Sequence, residues 1–186
     1  KPTFLWPFGN VLLFTAQTAA NGREVWRTDG TEAGTFMLKD IFEGPFGSTE
    51  IEIIPGFAIS ILSGFHIFIQ KAYFIASDGI NKGNLYVTDG TIANTTLVKS
   101  LVGPGNLPSI LFINAINLPD KFLFSLSDGA SRSELWQSDG TTAGTSVFKS
   151  FHYSDEHGFP ILFKNYAVDN QNGPDLLFQG NTFFFS

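Results

Sequence analysis

Two imidazoles and two carboxylates fall within one short run, His152-Tyr153-Ser154-Asp155-Glu156-His157. Such a set could bind a metal through mixed nitrogen and oxygen donors, or supply an acid–base pair. Asp29, Asp89 and Asp139 recur along the chain and could be calcium ligands, since hard cations take oxygen donors. A calcium loop gathers several carboxylates, however, and each of these Asp residues has Gly and Thr around it. The preferred reading makes Asp29-Gly30, Asp89-Gly90 and Asp139-Gly140 structural turns, in which the Asp side chain bonds nearby backbone N–H groups. Asn94-Thr95-Thr96 is a glycosylation sequon, meaningful only in a eukaryotic secreted protein. His66, in an apolar strand context, reads as a hydrogen-bonded structural histidine. No Ser nucleophile elbow, P-loop or dinucleotide fingerprint is present. The sequence therefore implies no catalytic residue and no cofactor.

What must position these residues is a repeat. Glu24-Val25-Trp26-Arg27-Thr28-Asp29-Gly30-Thr31 returns as Asn84-Leu85-Tyr86-Val87-Thr88-Asp89-Gly90-Thr91 and as Glu134-Leu135-Trp136-Gln137-Ser138-Asp139-Gly140-Thr141. Each block runs on through Ala-Gly-Thr, or Ala-Asn-Thr in the second, to an apolar stretch with a Lys at the same place: Lys39, Lys99 and Lys149. A Phe precedes each aromatic by 12 residues, at Phe14, Phe74 and Phe124. From Phe14 to Phe74 is 60 residues and from Phe74 to Phe124 is 50, so the connections vary while the unit does not. The His152–His157 run lies in one such connection, which favours a solvated loop over a site. Gly180-Asn181-Thr182-Phe183-Phe184-Phe185-Ser186 repeats the phase of Gly9-Asn10-Val11-Leu12-Leu13-Phe14-Thr15, and the chain reads as a window on a longer array. The units are placed at 9–58, 59–108 and 109–168, with a fourth starting over 169–186.

Periods of this size point to propellers, solenoids or arrays. Runs such as Val11-Leu12-Leu13-Phe14 and Lys71-Ala72-Tyr73-Phe74-Ile75, bounded by Gly, Asn and Asp, suit strands, and no segment keeps a helical period. Strands are predicted over 9–20, 69–78 and 119–128, each hairpinned to the strand holding Trp26, Tyr86 or Trp136. Asp78-Gly79 and Asp128-Gly129 supply the pair that a tight hairpin needs. Further apolar stretches, Ser109–Phe112 and Phe159–Phe163, provide a fourth strand. The fold class is all-β: tandem four-stranded antiparallel blades, as a β-propeller or part of one. The aromatics of the blocks are expected to fill the layer between blades. Asn94 takes the place of Gly34 and Gly144, which predicts a shared positive φ at all three. The strand Thr182–Ser186 is expected to lack its hairpin partner and to be covered by further chain or a neighbouring subunit.

Composition sets the class of partner. Eleven Lys plus Arg against 17 Asp plus Glu give a net charge of −6, which disfavours nucleic acid. Charged residues are 15% and apolar residues 43%, with 21 Phe, which argues against disorder. With no Cys there is no disulfide, thiolate metal site or Cys nucleophile. Lys1-Pro2-Thr3-Phe4-Leu5-Trp6-Pro7 is not a signal peptide, so the chain is read as mature, trimmed or never secreted. The apolar run 55–76 carries His66, Gln70 and Lys71 and is read as two buried strands, not a membrane span.

The block resembles the ELWxxDGT repeat family of large bacterial secreted and surface proteins. The third unit carries Glu134, Leu135, Trp136, Asp139, Gly140 and Thr141 in full; the first has Val25 for Leu, and the second has Asn84 and Tyr86 for Glu and Trp. The resemblance implies a propeller-like repeat architecture and export to the cell surface, and it brings no catalytic residues. The function expected is a non-enzymatic extracellular or cell-surface module for adhesion, assembly or scaffolding, whose partners are other subunits or further repeats. The alternatives are a carbohydrate-binding propeller, with exposed aromatics stacking on sugars, and a propeller-based hydrolase, for which only the run with His152, Asp155, Glu156 and His157 offers material.

Overall fold

The alternating apolar runs become strands because each can hide one face of a pleat and end on a residue that turns the chain. A computed structural model of the chain describes residues 2–54, 57–60, 64–81, 83–101, 111–127, 132–152, 177–179 and 182–184. The first sheet runs β1 (Thr3–Phe8), β2 (Val11–Thr18), β3 (Gly22–Thr28) and β4 (Phe36–Lys39), each strand bonded to the next in sequence. A hairpin of β5 (Glu50–Ile54) and β6 (Phe57–Ser60) follows. The second sheet is β7 (His66–Phe68), β8 (Lys71–Ala76), β9 (Asn84–Thr88) and β10 (Thr96–Ser100). The third is β11 (Leu111–Asn117), β12 (Phe122–Ser127), β13 (Arg132–Ser138) and β14 (Ser146–His152). A last hairpin joins β15 (Leu177–Gln179) and β16 (Thr182–Phe184). The protein is thus all-β, with three four-stranded antiparallel sheets in tandem.

The three sheets share one register. Phe14 pairs with Trp26, Phe74 with Tyr86 and Phe124 with Trp136, and each pair stacks, with ring centroids 6.5, 5.8 and 6.2 Å apart. Each sheet also bulges at the same point of its outer strand. Lys39, Lys99 and Lys149 pair with Val25, Leu85 and Leu135, while Met37, Leu97 and Val147 pair with Trp26, Tyr86 and Trp136. Leu38, Val98 and Phe148 are skipped, the extra residue of a β-bulge.

Packing follows from strand alternation. Along β8, Ala72, Phe74 and Ala76 join a core with Leu13, Val25 and Leu38 of the first sheet. Tyr73 and Ile75, pointing the other way, join a core with Phe122, Phe124 and Trp136 of the third. The second sheet is therefore buried on both faces, which explains why β8 is apolar at nearly every position instead of alternating with polar residues.

Three expectations need correction. Gly34, Asn94 and Gly144 do not have positive φ; the left-handed residues of the block are Gly30, Gly90 and Gly140 (φ +91, +87 and +90°). Gly34 and Gly144 are small for a steric reason, since a Cβ on either would run into the carboxylate of Asp29 or Asp139. The Asp78-Gly79 pair does not close a tight two-residue turn: it sits in the longer connection 77–83 between β8 and β9. The strand Thr182–Phe184 pairs with Leu177–Gln179 before it, a hairpin that matches β1–β2 around Gly9-Asn10, and among the described residues it has no counterpart of β3 on its other side, as expected. The apolar run 55–76 contains three strands, β6, β7 and β8, where two were expected, and no helix of the described residues is long and apolar enough to cross a membrane. Asp128-Gly129 and Phe159–Phe163 lie outside the described residues.

Candidate functional site

The recurring block builds one turn three times. Oδ1 of Asp29, Asp89 and Asp139 accepts the backbone N–H of Thr31, Thr91 and Thr141 at 3.0, 2.9 and 2.8 Å, and their hydroxyls at 2.7 Å. These donors hold all three Asp carboxyls below the usual carboxylate range, with the Thr hydroxyl the largest cause. The same Thr oxygens accept the backbone N–H of Gly34, Asn94 and Gly144. Thr35, Thr95 and Thr145 donate to the carbonyls of Thr31, Thr91 and Thr141. A hydroxyl has one proton. Thr28, Thr88 and Ser138 must therefore be the donors in their 2.6–2.8 Å contacts with Thr35, Thr95 and Thr145, while accepting the N–H of Gly30, Gly90 and Gly140. The hydroxyl before each Asp is a part of the motif that strand reasoning does not single out. Asn94, where the other units have Gly, turns its Nδ2 onto Asp89 Oδ2 at 2.6 Å, so the amide of the sequon is engaged with the turn.

The second and third turns also seat on the preceding sheet. Gly90 lies against Phe8 and Val11, and its carbonyl accepts Arg27 Nη1 at 3.1 Å. Gly140 lies so close to the Tyr73 hydroxyl that a Cβ would collide with it. In this second seam Lys99 Nζ donates to the carbonyls of Thr145 (2.5 Å) and Thr142 (3.3 Å), and Thr142 Oγ1 donates to Val98 O (2.7 Å). The recurring Lys thus has a role in the second seam, as a clamp between sheets. Gly30, in the first turn, has nothing within 4 Å of where a Cβ would stand.

At the opposite ends of the strands the motif glutamate does different work. Glu24 is fully buried: Oε1 accepts Phe42 N (3.3 Å) and Ser48 N (3.2 Å), and Oε2 accepts Ser48 Oγ (2.5 Å). The Ser48 carbonyl accepts Ser77 N at 2.7 Å, so the carboxylate holds the 41–49 connection against both sheets. Burial pushes the Glu24 carboxyl up to about 7, against the opposing pull of its donors. Nothing in the periodicity announces this; the signal available is an acidic residue inside an otherwise apolar strand motif. Glu134 instead accepts Trp136 Nε1 at 2.9 Å. His66 Nε2 meets Asn117 Oδ1 at 2.8 Å, and Asn117 Nδ2 donates to Ile67 O, tying β7 to β11. Burial holds the His66 imidazole below its ordinary pKa, offset in part by the Asn117 bond.

His152 ends β14, and Asp155, Glu156 and His157 lie outside the described residues. Among the described residues no three His, Cys, Asp or Glu side chains gather as a metal site. Trp136 is buried between the second and third sheets at 5% exposure, while Trp26 is half-buried. No family model matches the chain, and no curated protein matches its sequence. The likeness to ELWxxDGT repeats stands on the motif residues alone.

Proposed function

We propose that the chain is a non-enzymatic extracellular or cell-surface repeat module, its sheets the blades of a propeller or part of one, acting in adhesion, assembly or scaffolding through contacts with other protein. One observation carries this reading: the recurring Asp and Thr of the blocks are engaged in turns, while the aromatics of the second and third blocks and Lys99 are engaged between sheets. A motif kept for building seams is a motif of assembly. The carbohydrate-binding alternative needs ring faces open to solvent, and Trp136 offers none. Display of the chain on the surface of bacterial cells tests the proposal. Displaying cells should clump, and cells carrying Phe74→Asp, which breaks the packing of the first two sheets, should stay dispersed. Dispersed wild-type cells together with saturable retention of the purified chain on a glycan surface would transfer the assignment to sugar binding.

A further inference from the structure

Glu24 and Glu134 hold the same position of the recurring block but have different partners. In the third unit Glu134 accepts Trp136 Nε1 at 2.9 Å, from the residue two places on along the same face of β13. In the first unit the indole is present, yet Trp26 Nε1 is buried and bonded to nothing among the described residues. Its acceptor has gone elsewhere: Glu24 is turned onto the 41–49 connection, where it takes Phe42 N, Ser48 N and Ser48 Oγ. The second unit, with Asn84 in place of Glu, has Tyr86 in place of Trp and so has no indole to satisfy. A buried N–H without an acceptor is rare in a folded protein and calls for an explanation. Register supplies one. Trp26 pairs with Phe14 and Met37 as Trp136 pairs with Phe124 and Val147, so the backbone places Glu24 for its own indole as it places Glu134.

We propose that Glu24 exchanges partners: in a closed state it holds the 41–49 connection through Phe42 and Ser48, and in an open state it swings onto Trp26 Nε1 and lets that connection lift. Ionisation drives the exchange, because the closed state buries the carboxyl fully whereas the geometry of Glu134 leaves it half-buried, and a charge costs more the further it is removed from water. Burial pushes the closed carboxyl up to about 7, so the protein is protonated and closed below neutral pH and ionised and open above it. No cation is among the partners of Glu24. Arg23 alternates to the opposite face and donates to Thr3 Oγ1, Asp40 accepts Asn21 Nδ2, and Lys39 and Glu43 are exposed. On the second sheet, the Tyr86 phenol is raised by burial and then by Asp78 and Glu24, and stays neutral. Burial raises Asp78 too, but its donors Asn81 and Ile80 bring it below the usual carboxylate range, and it stays ionised. Glu24 is therefore the member of this group that changes charge. Its departure leaves Phe42 N without an acceptor, and the segment lifts to reach water. The Ser48 carbonyl then leaves Ser77 N, and the Phe42 ring leaves Gly79. The exchange unlatches the first seam at the end opposite the Asp-Gly-Thr turns, a pH response that goes beyond the protein-contact reading.

NMR of the three indole N–H groups and of the Phe42 amide, from about pH 5 to about pH 8, on either side of the Glu24 titration, gives the test. In the wild type Trp26 Nε1–H should move downfield as pH rises, toward the position of Trp136 Nε1–H, as it gains a carboxylate. The hydrogen-exchange protection of the Phe42 amide, corrected for intrinsic rate, should fall over the same interval. Glu24→Gln has no charge to expel and should abolish both changes. Trp26→Phe keeps the stacked ring and removes the donor of the open state, so at about pH 8 it should retain about tenfold or more of the Phe42 protection that the wild type loses, the scale of a hydrogen bond to a charged group. A Trp26 resonance that does not move, or Phe42 protection that does not fall, overturns the exchange. Protection lost equally in Trp26→Phe also overturns it, since the carboxylate would then be leaving for water. If Trp26→Phe does not fold, the wild-type titration and Glu24→Gln decide.

Discussion

Glu24 lends itself to a quantitative perturbation, because a buried carboxyl raised to about 7 makes stability depend on pH in a defined direction. In the unfolded chain this group titrates near 4.5. Below that value both states carry the proton and the group contributes its full stability. Between 4.5 and about 7 the unfolded chain ionises while the folded one stays protonated, so stability falls as pH rises; above 7 the loss is complete. At about 1.4 kcal/mol per pH unit the whole drop is on the order of 3 kcal/mol. Glu24→Gln removes the titration and keeps the shape. Its carbonyl oxygen can accept Phe42 N and Ser48 N, and its amide can donate to Ser48 Oγ once that hydroxyl has rotated. Urea denaturation of both proteins from pH 4 to pH 8, on the order of the interval over which such a carboxyl titrates, gives the difference curve, in which other groups cancel. Glu24→Gln should gain on the wild type across that interval and then run level. Parallel curves would refute the argument, as they would show that the carboxyl titrates normally and is not enclosed by the 41–49 connection.

Three further outcomes follow from packing. Phe74→Ala, at the stacked pair within the first seam, should cost about 3–5 kcal/mol in urea denaturation. At the bulge position, Leu38→Ala should cost about 2–5 kcal/mol, while the equivalent truncation at the exposed Phe148 should change the stability of the isolated chain by about 0.5 kcal/mol or less. Gly34→Ala drives a methyl into the Asp29 carboxylate and should cost about 1–3 kcal/mol. The double variant with Asp29→Ala should recover part of that loss in thermal melts, and strict additivity would disprove the steric account.

The Gly34 case shows where reading the chain alone reaches its limit. Register was accessible because the spacing of 12 between Phe14 and Trp26, repeated at the other two pairs, is a hairpin distance, and alternation then assigns every side chain on both strands to a face. The three-fold recurrence of Asp-Gly-Thr likewise located the turns. What recurrence could not reveal was which property of a residue the turn uses. Gly30 is needed for its dihedral angle, whereas Gly34 lies against the Asp29 carboxylate, at a position the second unit fills with Asn94, whose amide bonds Asp89. Glu24 was hidden for another reason: its partner Ser48 is 24 residues away, in a connection whose sequence the other units do not share.

The bulge carries this one step further, to the difference between a repeat in sequence and a repeat in surroundings. Leu38, Val98 and Phe148 have the same place in three identical registers, so any rule that reads a residue from its own unit gives all three one environment. Their exposure differs because burial at a seam belongs to the next sheet, not to the unit that supplies the side chain. In a stack of units that cannot bury their faces alone, the informative residues are those whose type is that of the interior and whose surroundings are not. Phe148 is such a residue, and the two internal seams, where Leu38 and Val98 are covered, state what it lacks.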